Sequence, residues 1–88
     1  MWFVYFLRCA DKSLYAGITT DLTRRLNEHN TSSKLAAKYT RVRRPVRLVY
    51  HETLDSRAAA SRREYELKKL TKLQKEKLVK SYEQTSPN

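Results

Sequence analysis

The N-terminal run MWFVYFLRCA limits most strongly how this chain can fold. It is apolar, yet too short to span a membrane, and it lacks the basic leader of a secretory signal before it meets charge at Arg8 and Asp11. A run of this kind has to be buried, and its β-branched and aromatic residues favour a strand. FVYFLRC is followed by ADKS, which has turn chemistry, and then by LYAGIT, a second short strand. The first eighteen residues therefore read as a β-hairpin. Strand periodicity puts Phe3, Tyr5, Leu7 and Cys9 on one face of the first strand, and Tyr15 and Gly17 on one face of the second. Gly17 is the only glycine in the chain. A glycine inside a strand costs stability and marks a bulge or a close approach to the backbone.

Downstream, Thr20 or Asp21 caps a helix that runs to about Asn30. NTSSKLAAKYTRVRR reads as a polar, basic connection with room for a helical turn around KLAAKY. PVRLVYHE is a third strand opened by Pro45, with Val46, Leu48 and Tyr50 alternating onto one face. Asp55 or Ser56 starts a longer helix, RAAASRREYELKKL, and Thr71 caps another, TKLQKEKLVKSY. No repeat or linker interrupts the chain. The expected class is α/β in its α+β form: a small three-stranded antiparallel sheet flanked by helices, in the order β-β-α-β-α-α. One domain is expected over residues 1–82, with a frayed tail over 83–88. Its 88 residues bury only about 60% of the unfolded surface, so little core is available to spend on charge.

Charge narrows the partners. There are 19 lysines and arginines against 9 acidic residues, a formal net charge of +10. Such a surface suits a polyanion, above all a nucleic acid, although a solubilising surface or a ribosome-associated protein would also carry it. One cysteine and two histidines supply neither an internal disulfide nor a zinc site. With no membrane segment, the expected location is the cytoplasm.

DLTRRLNEH places its charges unevenly. Leu22 and Leu26 define the stripe that faces a core, and Arg24 and Glu28 fall on the solvent side, four residues apart, where they can form an exposed ion pair. Arg25 and His29 fall inside the stripe. A guanidinium and an imidazole aimed at so small a core need a reason.

VYFLRCADKSLYAGITTDLTRRLNEHN resembles the signature of the GIY-YIG nuclease superfamily, and in particular its small, standalone bacterial branch. AKYTRVRRPVRLVYHE and SRREYELKKLTKLQK match that branch as well, so the resemblance covers nearly the whole chain. FVY stands where the family has Gly-Ile-Tyr, with Tyr5 kept. YAG stands for Tyr-Ile-Gly, with Tyr15 and Gly17 kept. The resemblance places the family's arginine at Arg25, the histidine one turn later at His29 and the metal-binding glutamate at Glu64. Periodicity alone leaves Glu64 and Glu66 unseparated. A polar residue that some family nucleases carry after the glutamate is missing.

What the resemblance implies is a metal-dependent endonuclease that hydrolyses DNA phosphodiester bonds. Glu64 would hold one Mg²⁺ or Mn²⁺, and Arg25 would fork onto the phosphate. Tyr5 would act as general base, its pKa lowered by nearby cations, with His29 relaying the proton. Tyr15 would position water or phosphate, and Gly17 would let the substrate approach the backbone. Lys34, Lys38, Arg41, Arg43 and Arg44, in the connection, and Lys68, Lys69 and Lys72, beyond Glu64, would track phosphates without reading bases. Tyr39 could stack on an unpaired base. No helix-turn-helix or zinc finger is present to confer sequence specificity. Cleavage should be weak or structure-selective, as in DNA repair or recombination, unless a protein partner supplies specificity. Each residue also has an ordinary alternative: core tyrosines, a snorkelling arginine, a histidine at a helix C-terminus. The corresponding alternative for the whole chain is a non-catalytic DNA- or RNA-binding module that keeps the nuclease fold.

Overall fold

The computed structural model describes residues 1–85. Its elements are β1 (Trp2–Arg8), β2 (Leu14–Thr19), α1 (Leu22–Thr31), α2 (Lys38–Arg41), β3 (Arg47–Leu54), α3 (Arg57–Lys68) and α4 (Lys72–Thr85). The strands form one antiparallel sheet in the order β2-β1-β3. The expected order holds, with single-turn α2 added inside the basic connection at KYTR, centred later than KLAAKY. Helix α4 runs to Thr85, past the boundary expected after residue 82, and the rest of the expected tail, residues 86–88, lies outside the described residues.

The most apolar segment becomes the central strand, where both edges are paired and both faces covered. Val4 and Phe6 of β1 meet Ala16, Val49 and Tyr50 on one face, closed by Leu67 of α3 and Val79 of α4. Tyr5, Leu7 and Cys9 meet Val46 on the other face, against Leu22 and Leu26 of α1. The sheet is therefore sandwiched between α1 and the α3–α4 pair.

Strand β3 departs from simple alternation. Phe6 pairs with Tyr50 and Leu7 with Leu48, so Val49 is the extra residue of a β-bulge. The bulge turns both Val49 and Tyr50 toward the α3–α4 core, whereas Val46 and Leu48 stay on the α1 side. The expected common face of Val46, Leu48 and Tyr50 is thus broken, because an inserted residue shifts side-chain phase by one. The strand also starts at Arg47 instead of Pro45. Both backbone groups of Val46 are taken by the Asn30 side chain, N–H to Oδ1 and C=O from Nδ2, each at 2.8 Å.

Capping decides the helix starts. Asp21 and not Thr20 accepts from the Arg24 N–H at 3.0 Å, and Ser56 and not Asp55 accepts from Ala59 at 3.1 Å. Thr71 and Gln74 form a reciprocal capping box at the head of α4. In the β1–β2 turn, Asp11 Oδ1 accepts from both the N–H and the hydroxyl of Ser13, while Lys12 takes the left-handed region at φ 72°.

Helix α4 is tied to the end of β1 by a forked pair. Arg8 donates to both carboxylate oxygens of Glu76, at 2.5 and 2.6 Å, and Lys72 adds a contact of 3.2 Å one turn earlier. Hydrogen bonding from Arg8 holds the Glu76 carboxyl down at about 2. A depressed carboxylate contributes stability above its unfolded value near 4.5 and loses it as pH falls toward 2. Glu76→Gln should therefore lower the urea midpoint at pH 7 and narrow the gap between pH 7 and pH 3. An unchanged gap would mean that the pair is merely a surface contact.

Candidate active site

Tyr5 lies directly opposite Gly17 in the β1–β2 ladder, and its ring crosses the space that a side chain at 17 would fill. A Cβ on Gly17 would sit 2.4 Å from Tyr5 Oη and 2.6 Å from Cζ. The close approach inferred from the lone glycine is therefore made by Tyr5. From this seat the hydroxyl reaches His29 Nε2 at 3.0 Å. His29 Nδ1 lies 2.7 Å from Thr40 Oγ1, and Thr40 donates onward to the Ala37 carbonyl at 3.1 Å. Because the Thr40 proton is used on a carbonyl, its oxygen accepts from Nδ1–H. This leaves Nε2 as the acceptor for the Tyr5 hydroxyl. The chain crosses from sheet to helix to connection, and Tyr5, His29 and Thr40 are all buried.

Burial works on the two titrating groups in opposite directions. It pushes the His29 imidazole down to about 4, assisted by the charges of Arg25 and Arg44 and opposed by Glu28. It pushes the Tyr5 phenol up to about 12, opposed by Arg25 and reinforced by Tyr15 and Glu64. Of the cations expected to lower Tyr5, Arg25 does act in that direction, but burial outweighs it, because removing a phenolate from water costs more than this guanidinium returns. At neutral pH the pair is a phenol donating to an uncharged imidazole.

Arg25 does point inward, and Glu28 determines how. The Arg25 Nη1 donates to Glu28 Oε1 at 2.9 Å and to the Leu35 carbonyl at 2.6 Å. The expected Arg24–Glu28 pair also forms, but at 3.7 Å, so Glu28 is chiefly the partner of Arg25. Tyr15 packs edge-on against the His29 ring and stacks on Tyr39.

On α3, helical phase separates the two glutamates. Glu66 is exposed and bonded to Arg63 at 3.2 Å. Glu64 is largely covered, with one contact to the exposed Lys68 at 3.4 Å, and its charge is felt at Tyr5. The other half-buried acid facing α3, Glu52, is closed by a two-pronged grip from Arg63 and the Tyr50 hydroxyl.

The basic connection is less free than its composition implies. Arg44 donates to the His29 carbonyl at 2.7 Å and to the Ser32 carbonyl at 2.6 Å, closing the end of α1. Arg43 bonds Asp11 at 3.0 Å and lies over the Tyr39 ring, and Arg41 holds the Ser33 carbonyl at 2.9 Å. Tyr39 is exposed but engaged by Arg43, Tyr15 and Ser13. Lys34 and Lys38 are exposed and make no ion pair among the described residues. Two contributors had no signal in the sequence. Thr40 sits in an unremarkable KYTR, and Glu28 reads as a solvent-face charge.

With this geometry in view, comparison with known proteins gives a consistent answer. The GIY-YIG catalytic domain model matches residues 1–77. A UPF0213 protein of Desulfotalea psychrophila is 56% identical over 82 residues, 93% of this chain and 74% of the relative. One from Natronomonas pharaonis is 51% identical, covering 88% of each chain. The solution NMR structure of a UPF0213 protein from Bacillus halodurans aligns with a TM-score of 0.56 at 47% identity, over 91% of this chain and 84% of that one. That of a protein from E. faecalis gives 0.61 at 41% identity, over 98% and 90%. The chain belongs to the GIY-YIG nuclease superfamily, among its small UPF0213 proteins.

The seat of Tyr5 can be tested by adding a single methyl group. Gly17→Ala should cost about 1–3 kcal/mol, the usual cost of overpacking, because the neighbour that must move is a buried ring. Urea denaturation of the variant reads this directly. A midpoint equal to wild type would show that the ring has room to shift.

Proposed function

We propose that this protein is a metal-dependent endonuclease that hydrolyses DNA phosphodiester bonds with weak sequence specificity or with selectivity for DNA structure. The observation that carries the reading is the surroundings of the Tyr5 hydroxyl: a neutral imidazole acceptor at 3.0 Å, with Arg25 and Glu64 close enough to shift its proton affinity. Core packing alone has no use for a proton acceptor and a guanidinium set against one phenol.

Tyr5 would act without ever becoming a free phenolate. As a water molecule attacks phosphorus, its proton passes to Tyr5 Oη while the Tyr5 proton passes to His29 Nε2. A stepwise path would need the phenolate of a group at about 12, whereas the relay keeps the phenol neutral throughout. Thr40 fixes the tautomer that leaves Nε2 open. Arg25 would release part of its hold on Glu28 and Leu35 to meet the non-bridging oxygens of the phosphate. Tyr15 packs against His29 and keeps its ring in line.

Glu64 fits the role of metal ligand. Its charge acts weakly on Tyr5, and its ion pair with Lys68, the one it makes among the described residues, leaves acceptor positions open. One carboxylate suits Mg²⁺ or Mn²⁺, which retain most of their waters. When bound, the ion supplies positive charge to the phosphoryl and departing 3′ oxygens. Lys34, Lys38 and Lys68 would contact flanking phosphates, in repair or recombination, with a protein partner providing any further specificity.

Cleavage of single-stranded, duplex and branched DNA and RNA, with Mg²⁺ or with chelator, tests the reading. Glu64→Ala should abolish the metal-dependent cut and leave DNA affinity equal or slightly higher. Glu64→Ala that cuts at the wild-type rate overturns the ligand assignment, and a wild-type protein that binds but never cuts favours the non-catalytic module.

The relay also sets a pH profile. His29 accepts a proton only when neutral, and with its pKa at about 4 it stays neutral well below the ordinary 6.5. The single-turnover rate should hold from pH 8 down to about 5 and lose its acid limb near 4. A limb near 6.5 would mean that burial does not hold this imidazole down, and a rate unchanged below pH 4 would mean that His29 is not the acceptor.

A further inference from the structure

A cleft of about 350 Å³ opens beside Arg25, where β1 begins and β2 ends, with Trp2, Thr20, Arg24, Arg25, Glu28 and Arg57 among its walls. That volume is at the small end of ligand sites, which run about 300–1,000 Å³. Three guanidiniums face one carboxylate there, and Glu28 is already committed to Arg25 at 2.9 Å. Arg24 is left with the longer 3.7 Å contact. Arg57, the first residue of α3, makes no ion pair or hydrogen bond among the described residues. Its guanidinium instead lies 5.7 Å from the centre of the Trp2 ring, close to the outer limit of a cation–π contact at about 6 Å. Solvent is the cheap place for a surplus arginine. Here unneutralised charge converges on a recess that also carries an aromatic ring.

We propose that this cleft is a nucleotide subsite. The base of an unpaired nucleotide stacks on Trp2, and its phosphate rests on Arg57 and Arg24, one step along the strand from the phosphate met by Arg25. The inference rests on the nuclease reading and narrows its substrate to DNA in which the nucleotide beside the cut is out of the helix. A base within a duplex exposes only its edges, since its faces are stacked on neighbours. It cannot lay a face on Trp2 inside so small a recess, but a single-stranded or displaced base can. Stacking is tolerant of sequence because every base has a π-face, which agrees with a domain that has no base-reading element.

Trp2 is the only tryptophan in the chain, so emission from the intact protein reports on the cleft. Metal-free protein in chelator is titrated with oligothymidylate, with a blunt duplex and with inorganic polyphosphate, while anisotropy of labelled DNA measures binding in parallel. Oligothymidylate should quench Trp2 over the same concentration range in which it binds. Duplex and polyphosphate, which offer charge without a free base, should bind without comparable quenching. Arg57→Ala should weaken oligothymidylate binding and flatten the plot of log affinity against log salt by about 0.7, one single-strand phosphate contact. Lys77→Ala, which removes an exposed charge from α4, should leave that slope unchanged. Trp2→Ala should weaken binding by about 5- to 150-fold, the range for one lost base stack, and Trp2→Phe, which keeps a ring in β1, should restore most of it. Binding without quenching, equal quenching by duplex, or equal effects of Arg57→Ala and Lys77→Ala would overturn the subsite. Quenching by a protein that never cuts would overturn the nuclease reading and leave the subsite standing. Failure to bind any DNA would remove both.

Discussion

The hydrogen bond from Tyr5 to His29, seated on Gly17, organises one whole side of this sheet. It joins the central strand to the first helix across the middle of one core layer. It forms only because position 17 has no side chain and the Tyr5 ring can lie over the ladder. Continuation through Thr40 extends the tie to the basic connection, so three segments far apart in sequence share one buried polar line. Left unpaired in that environment, each of these groups would cost about 1–3 kcal/mol. Complete pairing is therefore a condition of burying them at all. The same burial leaves a phenol that holds its proton and an imidazole that remains empty, the polarity a proton relay requires.

Acidic residues are the scarce resource of this chain, and the fold distributes them with an evident consequence. Glu76 fastens α4, Glu52 fastens α3 to β3, Asp11 fastens the hairpin turn to the connection, Asp21 caps α1, and Glu28 aims Arg25. These assignments consume arginines that composition alone would offer to a phosphate backbone. Arg43 is taken up in this way by Asp11, while Arg44 is held by two backbone carbonyls instead. Among the described residues, the cations without an acid partner include Lys34 and Lys38 beside the connection and Arg57 at the mouth of the cleft beside Arg25. Net charge predicts attraction to a polyanion. Which charges remain available is decided by who has already paired.

Secondary structure and family membership were legible because they rest on local rules. The apolar run from Trp2 to Leu7 could only be a buried strand, the lone glycine announced a close approach, and the capping residues marked three helix starts within a residue. The spacing of Tyr5, Tyr15, Arg25 and Glu64 carried the family signature, since each lies on a regular element whose phase is set by neighbours. The inward face of α1 followed from periodicity, and with it the separation of Arg25 from Arg24.

Features that depend on a distant partner were not legible. The bulge at Val49 arises from pairing with β1 and moves Tyr50 to the other core, and the start of β3 is set by an asparagine on α1. Nothing in KYTR announces that Thr40 fixes a histidine tautomer, and Glu28 looks like a surface charge until Arg25 is seen beside it. The direction of the Tyr5 shift depends on how much water is excluded around the hydroxyl, a quantity with no sequence pattern. Hydrophobic period and capping act within a few residues, so strands, helices and inward faces could be read along the chain. Burial and pairing belong to residues brought together from across it, so which charges are neutralised, which tautomer His29 adopts and which cleft stands open emerge only once the chain is folded.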